Sequence, residues 1–406
     1  MSNTWTPVQT ALAAIQNLVS PITDTESIDL FSALDRVLAE SVFASINVPG
    51  FDNSAMDGYA VRAVEANTRM PLQVVGNAYA GHTFVGELPA ASCVRIMTGA
   101  QLPTGTDAVI MQEQVERTDE QIICQTDLQV GDNVRLCGSD IKQGTTILTA
   151  GQRLTPVHLG LLASIGIAHV KVVRKLKVAL FSNGDELIQP GQSLPSSSHL
   201  YDSNRFVLNG MLQRLNVEIH DLGRIPDNPK ALEDVFKQAM QSADVVISSA
   251  GVSVGDADFT KDVMSKLGHI EFWKIAMKPG KPFAFGKLGS SWFCGLPGNP
   301  VAAVVTMNQI VQPMLRNLAG EQCSAVTTFT AEASCVINKR PGRTDFQRGY
   351  FEQKEGKLFA RPVGSQSSAL LTSVARANCF IILEQDRDSV SAGESVTIQP
   401  FDRFMI

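Results

Sequence analysis

Acids, small-residue loops and lysines recur where strand-like runs end between residues 178 and 300. After VALFS (178–182) come Asn183, Gly184, Asp185 and Glu186, and after VEIHDL (217–222) comes Asp227. VVISS (245–249) runs into Ala250, Gly251, Ser253, Gly255, Asp256 and Asp258. FWKIA (272–276) is followed by Lys278 and Lys281 spaced by prolines, and WFCGL (292–296) by Pro297-Gly298-Asn299-Pro300. Ligands of open parallel sheets bind outside the carboxyl ends of the strands, so these five loops would share one edge. Gly251, Ser253 and Gly255 before a helix would expose backbone N–H groups as a phosphate nest. Lys278 and Lys281, on a stiff Pro-Gly-Lys-Pro loop, add positive charge. Asp185, Glu186, Asp227, Asp256 and Asp258 are hard oxygen ligands for a divalent ion such as Mg²⁺, which would offset their repulsion of phosphate. The chemistry so composed is metal-assisted cleavage or transfer on a phosphorylated, nucleotide-bearing ligand. Singly, each loop reads as a turn or a helix cap; five on one edge argue for a site.

Rival motifs fail on spacing. Gly251-Val252-Ser253-Val254-Gly255 matches the nucleophile elbow of α/β-hydrolases. The only later histidine is His269, and only Asp256, Asp258 and Asp262 lie between, too near in sequence to build a triad. The dinucleotide fingerprint and the P-loop are absent. The six histidines show no zinc-hydrolase spacing; His199 and Tyr201, beside Asp202, are at most supporting groups.

The elements that must position these loops alternate strand and helix from residue 175, with helices expected at 204–215, 229–242, 259–268 and 299–318. That alternation makes right-handed crossovers and a doubly wound parallel sheet. Asn299-Pro300 opens the last helix and Gly320 stops it. Residues 46–145 read as an inserted β-domain, from QVVG, SCVRIM, DAVIMQEQV and QIICQT between turn residues. Flanking it, 1–45 and 146–174 read as a helical segment suited to dimerisation. Its first helix opens at Thr6-Pro7 with Val8, Leu12, Ile15 and Val19 on one face, a second runs through Phe31, Leu34, Val37 and Leu38, and a third opens at Thr155-Pro156. The α/β domain spans 175–324, and 325–406 returns to β-runs as a barrel-like C-terminal domain. The loop 189–199 reads as long and exposed.

Composition sets the outer limits. At about 150 residues per domain, 406 residues imply several domains, and 44% hydrophobic residues suffice for a core. A net charge of −6 without a basic block disfavours nucleic acid. No apolar run approaches the length of a membrane span, and the start lacks a secretory leader. Seven scattered cysteines without C-x-x-C fit a reducing compartment, so a soluble, cytoplasmic protein is expected.

Seven segments, PGFDNSAMDGYAVR, RIMTGA, GSDIKQG, SNGDEL, SAGVSVGD, KPGKPFAFG and GLPGNP, resemble those of the molybdopterin molybdenumtransferases of MoeA type, relatives of the E domains of plant molybdenum-cofactor proteins and of gephyrin. The resemblance runs along nearly the whole chain with the motifs in order. It implies an elongated four-part homodimer whose central α/β domain is similar to molybdopterin-binding proteins. It implies that adenylylated molybdopterin and molybdate are substrates, that molybdenum is inserted and AMP released with Mg²⁺ assisting, and that a molybdopterin adenylyltransferase is the upstream partner. By the same resemblance, Asp185, Glu186, Asp227 and Asp258 are the acids at the metal and pyrophosphate. Lys274, Lys278 and Lys281 are anion-binding lysines, the last two contacting molybdate with Arg348 and Ser368. Asp57, Thr98 and Asp140 are functional residues of the inserted domain that reach the other subunit's site. Ser249, Gly251, Ser253, Gly255, Pro297 and Pro300 are the expected substrate contacts. The sequence departs from the family pattern at Asn183, Ala250, Leu136-Cys137 and Ser367. A non-catalytic scaffold and a nucleotide hydrolase are the competing readings; the intact acids and lysines favour the transferase.

Overall fold

The computed structural model describes residues 5–250, 259–322 and 325–405. Its centre is a six-stranded sheet in the order Glu218–Ile225, Lys177–Asn183, Val245–Ser249, Ser291–Leu296, Pro282–Leu288, Gly268–Lys274. The first four strands are parallel. Alternate residues along them face opposite helical layers, as a strand buried on both faces requires. Val178 and Leu180 pack with Leu208, Leu212 and Val301, whereas Ala179 and Phe181 pack with Leu232, Phe236 and Met264.

The sheet is mixed rather than wholly parallel. Pro282–Leu288, a strand not expected from the sequence, runs antiparallel to both neighbours. A tight hairpin with Gly289 at φ 58° joins it to Ser291–Leu296. Two reversals restore the direction, so Gly268–Lys274 points the same way as the parallel four. The turn after it therefore opens on the same edge as the other site loops. Helices Asn204–Arg214, Pro229–Ser242 and Phe259–Leu267 match expectation closely. The expected 299–318 helix is Pro300–Thr306, a π turn at Met307–Val311, and Gln312–Leu318.

The N-terminal segment departs most from expectation. Helix Val8–Leu18 buries Val8, Ala11 and Ile15 in the α/β core rather than against the other helices of its segment. Thr6 does not cap it; the Thr6 backbone bonds Lys274 and Ala276 instead. No helix forms through Phe31–Leu38. Thr25–Asp29 pairs antiparallel with His169–Val173, and a single 3-10 turn, Leu30–Ser32, follows. The helical period is present, but Phe31 and Leu34 face solvent, and the backbone is spent on residues 168–173. The third helix, Pro156–Ser164, starts as expected, with Thr155 Oγ1 accepting from His158 N and His158 Nδ1 accepting from Thr155 N.

The insert carries a six-stranded sheet between Gly58 and Cys124. At the C-terminus, strands Thr344–Lys354, Lys357–Pro362, Phe329–Ala333, Ser395–Pro400 and Cys379–Leu383 close on themselves as a barrel. Met277–Lys278 pairs parallel with Thr344–Asp345, which fastens the lysine loop to the barrel. Among the described residues, no helix is long and apolar enough to cross a membrane.

Candidate functional site

A cavity of about 620 Å³ opens at the carboxyl edge of the central sheet, within the range of small-molecule sites. Glu186, Leu187, Ser249, Ala250, Pro282, Pro297 and Pro300 line it, with Ala369 from the barrel side. Thus the loops after four of the strands converge, and a barrel loop closes over them. Val301 N, at the start of the Pro300–Thr306 helix, donates to Ser368 O. Asn299 makes no side-chain cap, so the barrel carbonyl takes the place of the cap the sequence suggests.

Part of the wall is built by Asp202, Ser203 and Asn204, which belong to none of the motifs. Asn204 Nδ2 donates to Ser249 Oγ and to Gly298 O, both at 2.8 Å. One side chain thereby ties a helix start, a strand end and the loop before another helix. Beside it, buried Asp202 accepts from Ser182 Oγ at 2.5 Å and from Arg205 Nε at 3.0 Å. Arg205 also reaches Asp221 and Gln189. Two groups in this region are unsatisfied, Asn183 Oδ1 and Ser248 Oγ, both buried without a hydrogen-bond partner; such groups are rare in finished cores. The sequence signal was an Asp-x-x-Arg pair at a helix start, easily read as an ordinary cap.

The acids divide. Asp185 and Asp227 come together: Asp185 N donates to Asp227 Oδ2 at 3.4 Å, and Asp227 N to Asp185 Oδ1 at 3.3 Å. Asn183 Nδ2 donates to Asp227 Oδ1 at 2.6 Å, and Arg224 lies 4.0 Å from Asp185. Glu186 instead lines the cavity. Asp258, with Gly251, Ser253, Gly255 and Asp256, lies outside the described residues. Among the described residues no three acid, histidine or cysteine side chains converge to hold a metal. A pair of carboxylates beside an orphaned amide oxygen still suits Mg²⁺, which commonly takes one or two carboxylates and completes its shell with water and substrate phosphate.

The cations lie along the barrel junction. Lys278 Nζ pairs with buried Asp345 at 3.2 Å, and Lys281 stacks on the Trp5 ring. Lys274 ends its strand opposite Pro282. Arg348 is 1% exposed. Its Nε donates to Ser373 Oγ at 3.2 Å and its Nη2 to Ser367 O at 3.1 Å, next to the loop that closes the cavity. Burial pushes its guanidinium down to about 10, against the opposing charge of Asp345. The acidic positions of the insert stand apart. Thr98 donates to Asp57 Oδ1 from its backbone N at 2.7 Å and its Oγ1 at 2.8 Å. These bonds hold the Asp57 carboxyl below the usual range. Asp140 N donates to Val48 O. Asp57, Thr98 and Asp140 line no part of the cavity.

Ala250 sits on the cavity wall at φ 72°, in the left-handed region that favours glycine. The family departure noted there therefore puts a methyl on a backbone shaped for none.

Comparison with known proteins accounts for this arrangement. The family models describing the MoeA N-terminal region (domains I and II), a probable molybdopterin binding domain and the MoeA C-terminal region (domain IV) match residues 6–166, 179–317 and 330–401. A molybdopterin molybdenumtransferase of Haemophilus influenzae is 50% identical over 386 residues, covering 94% of this chain and 95% of its own. The chain belongs to the molybdopterin molybdenumtransferase family. A second member, from a Nostoc species, is 35% identical over 92% of this chain and 88% of its own. The crystal structure of the molybdopterin biosynthesis MoeA protein of Pyrococcus horikoshii superimposes with a TM-score of 0.86 at 27% identity, over 98% of this chain and all of that one. That match extends the family likeness to the mixed sheet, the insert and the closed barrel.

Proposed function

We propose that this family member is a transferase of molybdenum cofactor biosynthesis that inserts molybdenum from molybdate into adenylylated molybdopterin and releases AMP. The observation that carries the reading is the cavity at the sheet edge, lined by Glu186, Ser249, the Pro297–Pro300 loop and Ala369 of the barrel side. Lys278, Lys281 and Arg348 do not line it but lie at the barrel junction, where Met277–Lys278 pairs with Thr344–Asp345. Its volume suits a pterin with a nucleotide attached. Ser249, held by Asn204, and the Pro297–Pro300 loop fix the ligand's orientation. Lys278, Lys281, Arg348 and Ser368 receive the tetrahedral oxyanion, while Lys274 adds positive charge at the strand end. The barrel loop meets the cavity through Ala369; the phosphoanhydride bond breaks as an oxygen, from water or from molybdate, adds to phosphorus and AMP leaves. When bound, Mg²⁺ would be held by Asp185 and Asp227 and would neutralise charge on the substrate phosphates, with Glu186 lining the same cavity; Asp258 is assigned to these acids by the family resemblance alone.

The chain acts in this reading as a homodimer, with Asp57, Thr98 and Asp140 serving the partner copy's cavity. What supports it is that none of the three lines the cavity of its own subunit, together with the exposed apolar side chains Phe31, Leu34 and Val157 on the small N-terminal unit. A molybdopterin adenylyltransferase would supply the substrate. The test mixes protein, adenylylated molybdopterin, molybdate and Mg²⁺ and follows AMP. Turnover is expected from wild type and not from Lys278→Ala or Asp227→Ala, each still dimeric by sizing. Full turnover by both variants would refute the assignment.

A further inference from the structure

Trp5 lies far from every motif in the sequence, yet its ring meets two cations. Lys281 Nζ is 4.5 Å and Arg343 Cζ 5.5 Å from the indole centroid, both within cation–π range. The indole is anchored on a fixed backbone. Thr6 N donates to Lys274 O at 3.3 Å, and Ala276 N donates to Thr6 O at 2.7 Å, so the residue after Trp5 pairs with the strand end that leads into the lysine loop. Immediately beyond, helix Val8–Leu18 is packed into the core. Arg343 arrives from the other side, one residue before the Thr344–Lys354 strand, where Thr344 N bonds Ala276 O at 2.9 Å. Three separate stretches of chain thus meet at one ring.

The neighbouring lysine is treated differently. Lys278 is matched by the Asp345 carboxylate, which stays with the protein and opposes an incoming anion. Lys281 rests against a neutral π face that holds the ammonium without cancelling its charge. The flexible four-carbon stem of a lysine otherwise loses rotamer entropy when its head is fixed.

We propose that Trp5 is a positioning residue for oxyanion binding: its indole holds Lys281, with Arg343 on the same ring, ready to receive a tetrahedral dianion. The inference rests on the reading of Lys281 as a molybdate contact. It makes the N-terminal segment part of the site, and it assigns a role to a residue outside the motif set.

The experiment measures molybdate binding to the full-length protein by equilibrium dialysis, and molybdate KM and kcat in the insertion assay. Trp5→Ala is expected to weaken molybdate binding between about twofold and thirtyfold, the range a cation–π contact spans. Molybdate KM rises by the same factor while kcat at saturation and thermal unfolding stay unchanged, and Trp5→Phe restores most of the affinity. In a Lys281→Ala background, Trp5→Ala adds little. Should Trp5→Ala loosen the N-terminal helix, Trp5→Leu keeps apolar bulk without a π face and carries the same expectation. If Lys281→Ala weakens binding but Trp5→Ala and Trp5→Leu do not, or if the two effects simply add, the positioning role of Trp5 is overturned. If Lys281→Ala leaves molybdate binding unchanged, the assignment of the lysine loop fails, and the role of Trp5 falls with it.

Discussion

Replacing Arg348 by methionine separates function from stability. The side chain is 1% exposed, and among the described residues no carboxylate lies within ion-pair distance of it. Burial lowers its guanidinium to about 10, a displacement of roughly 3 kcal/mol against the charged form at 1.36 kcal/mol per pKa unit. Its hydrogen bonds to Ser373 Oγ and Ser367 O return about 1.5–3 kcal/mol each, as bonds from a charged donor do. At the lower end of that range the two bonds together just offset the burial penalty, and methionine fills a similar volume without needing partners. Arg348→Met should therefore unfold within about 2 kcal/mol of wild type, whereas a buried cation essential to the fold would take about 3–5 kcal/mol with it. Because the folded pKa lies below the unfolded one, the native state binds fewer protons only above about pH 10. The penalty is thus fully present at neutral pH, and the difference between variant and wild type should be flat from pH 7 to pH 9. Urea unfolding at both pH values, with molybdate binding measured on the same samples, checks this. Loss of oxyanion binding with stability retained is expected. A drop of 3 kcal/mol or more would show that Arg348 is structural and refute the reasoning.

Three further outcomes follow from the packing. Asn204→Ala strands Ser249 Oγ and Gly298 O and should cost about 1–3 kcal/mol while raising KM for the pterin substrate, seen by urea unfolding and steady-state kinetics. Buried Glu321 accepts from Arg153 and Arg316. Burial raises its pKa, but these bonds outweigh that and leave it lowered. Its stabilisation is then present above the ordinary glutamate range and lost as pH falls through the depressed value, and Glu321→Gln should cost about 3 kcal/mol at pH 7 with the gap to wild type narrowing in acid. Finally, a Cβ on Gly298 would stand 3.3 Å from the Ala250 methyl. Gly298→Ala should lose substrate affinity in wild type and recover it in an Ala250→Gly background; equal losses in both backgrounds would show that the contact between the two side chains is not the cause.

Periodicity and strand-end chemistry carry much of this architecture because they report local physics. Val178–Ser182 and Val245–Ser249 are apolar runs ending in small polar residues, and they sit side by side with the cavity at their ends. The antiparallel Pro282–Leu288 strand was hidden because KPFAFGKL begins with loop-forming Lys-Pro, and only the Gly289 hairpin reveals the reversal. The false helix at Phe31–Leu38 shows the converse: the period was right, but among the described residues no surface of the same subunit covers Phe31. Cation partners were least legible. Asp345 for Lys278 and Trp5 for Lys281 are 67 and 276 positions away in sequence, and no spacing rule reaches that far. Asp202, Asn204 and Arg205 carry no motif, because their long-range partners, Ser182, Ser249 and Gly298, appear only when the strands are assembled.

The most direct test of molybdenum insertion is the ratio of molybdenum bound to the pterin against AMP released in one reaction. One molybdenum per AMP, with AMP release falling away when molybdate is omitted, is the predicted result. AMP released at the same rate with and without molybdate, leaving a metal-free pterin, would make the protein a nucleotide hydrolase and contradict the account.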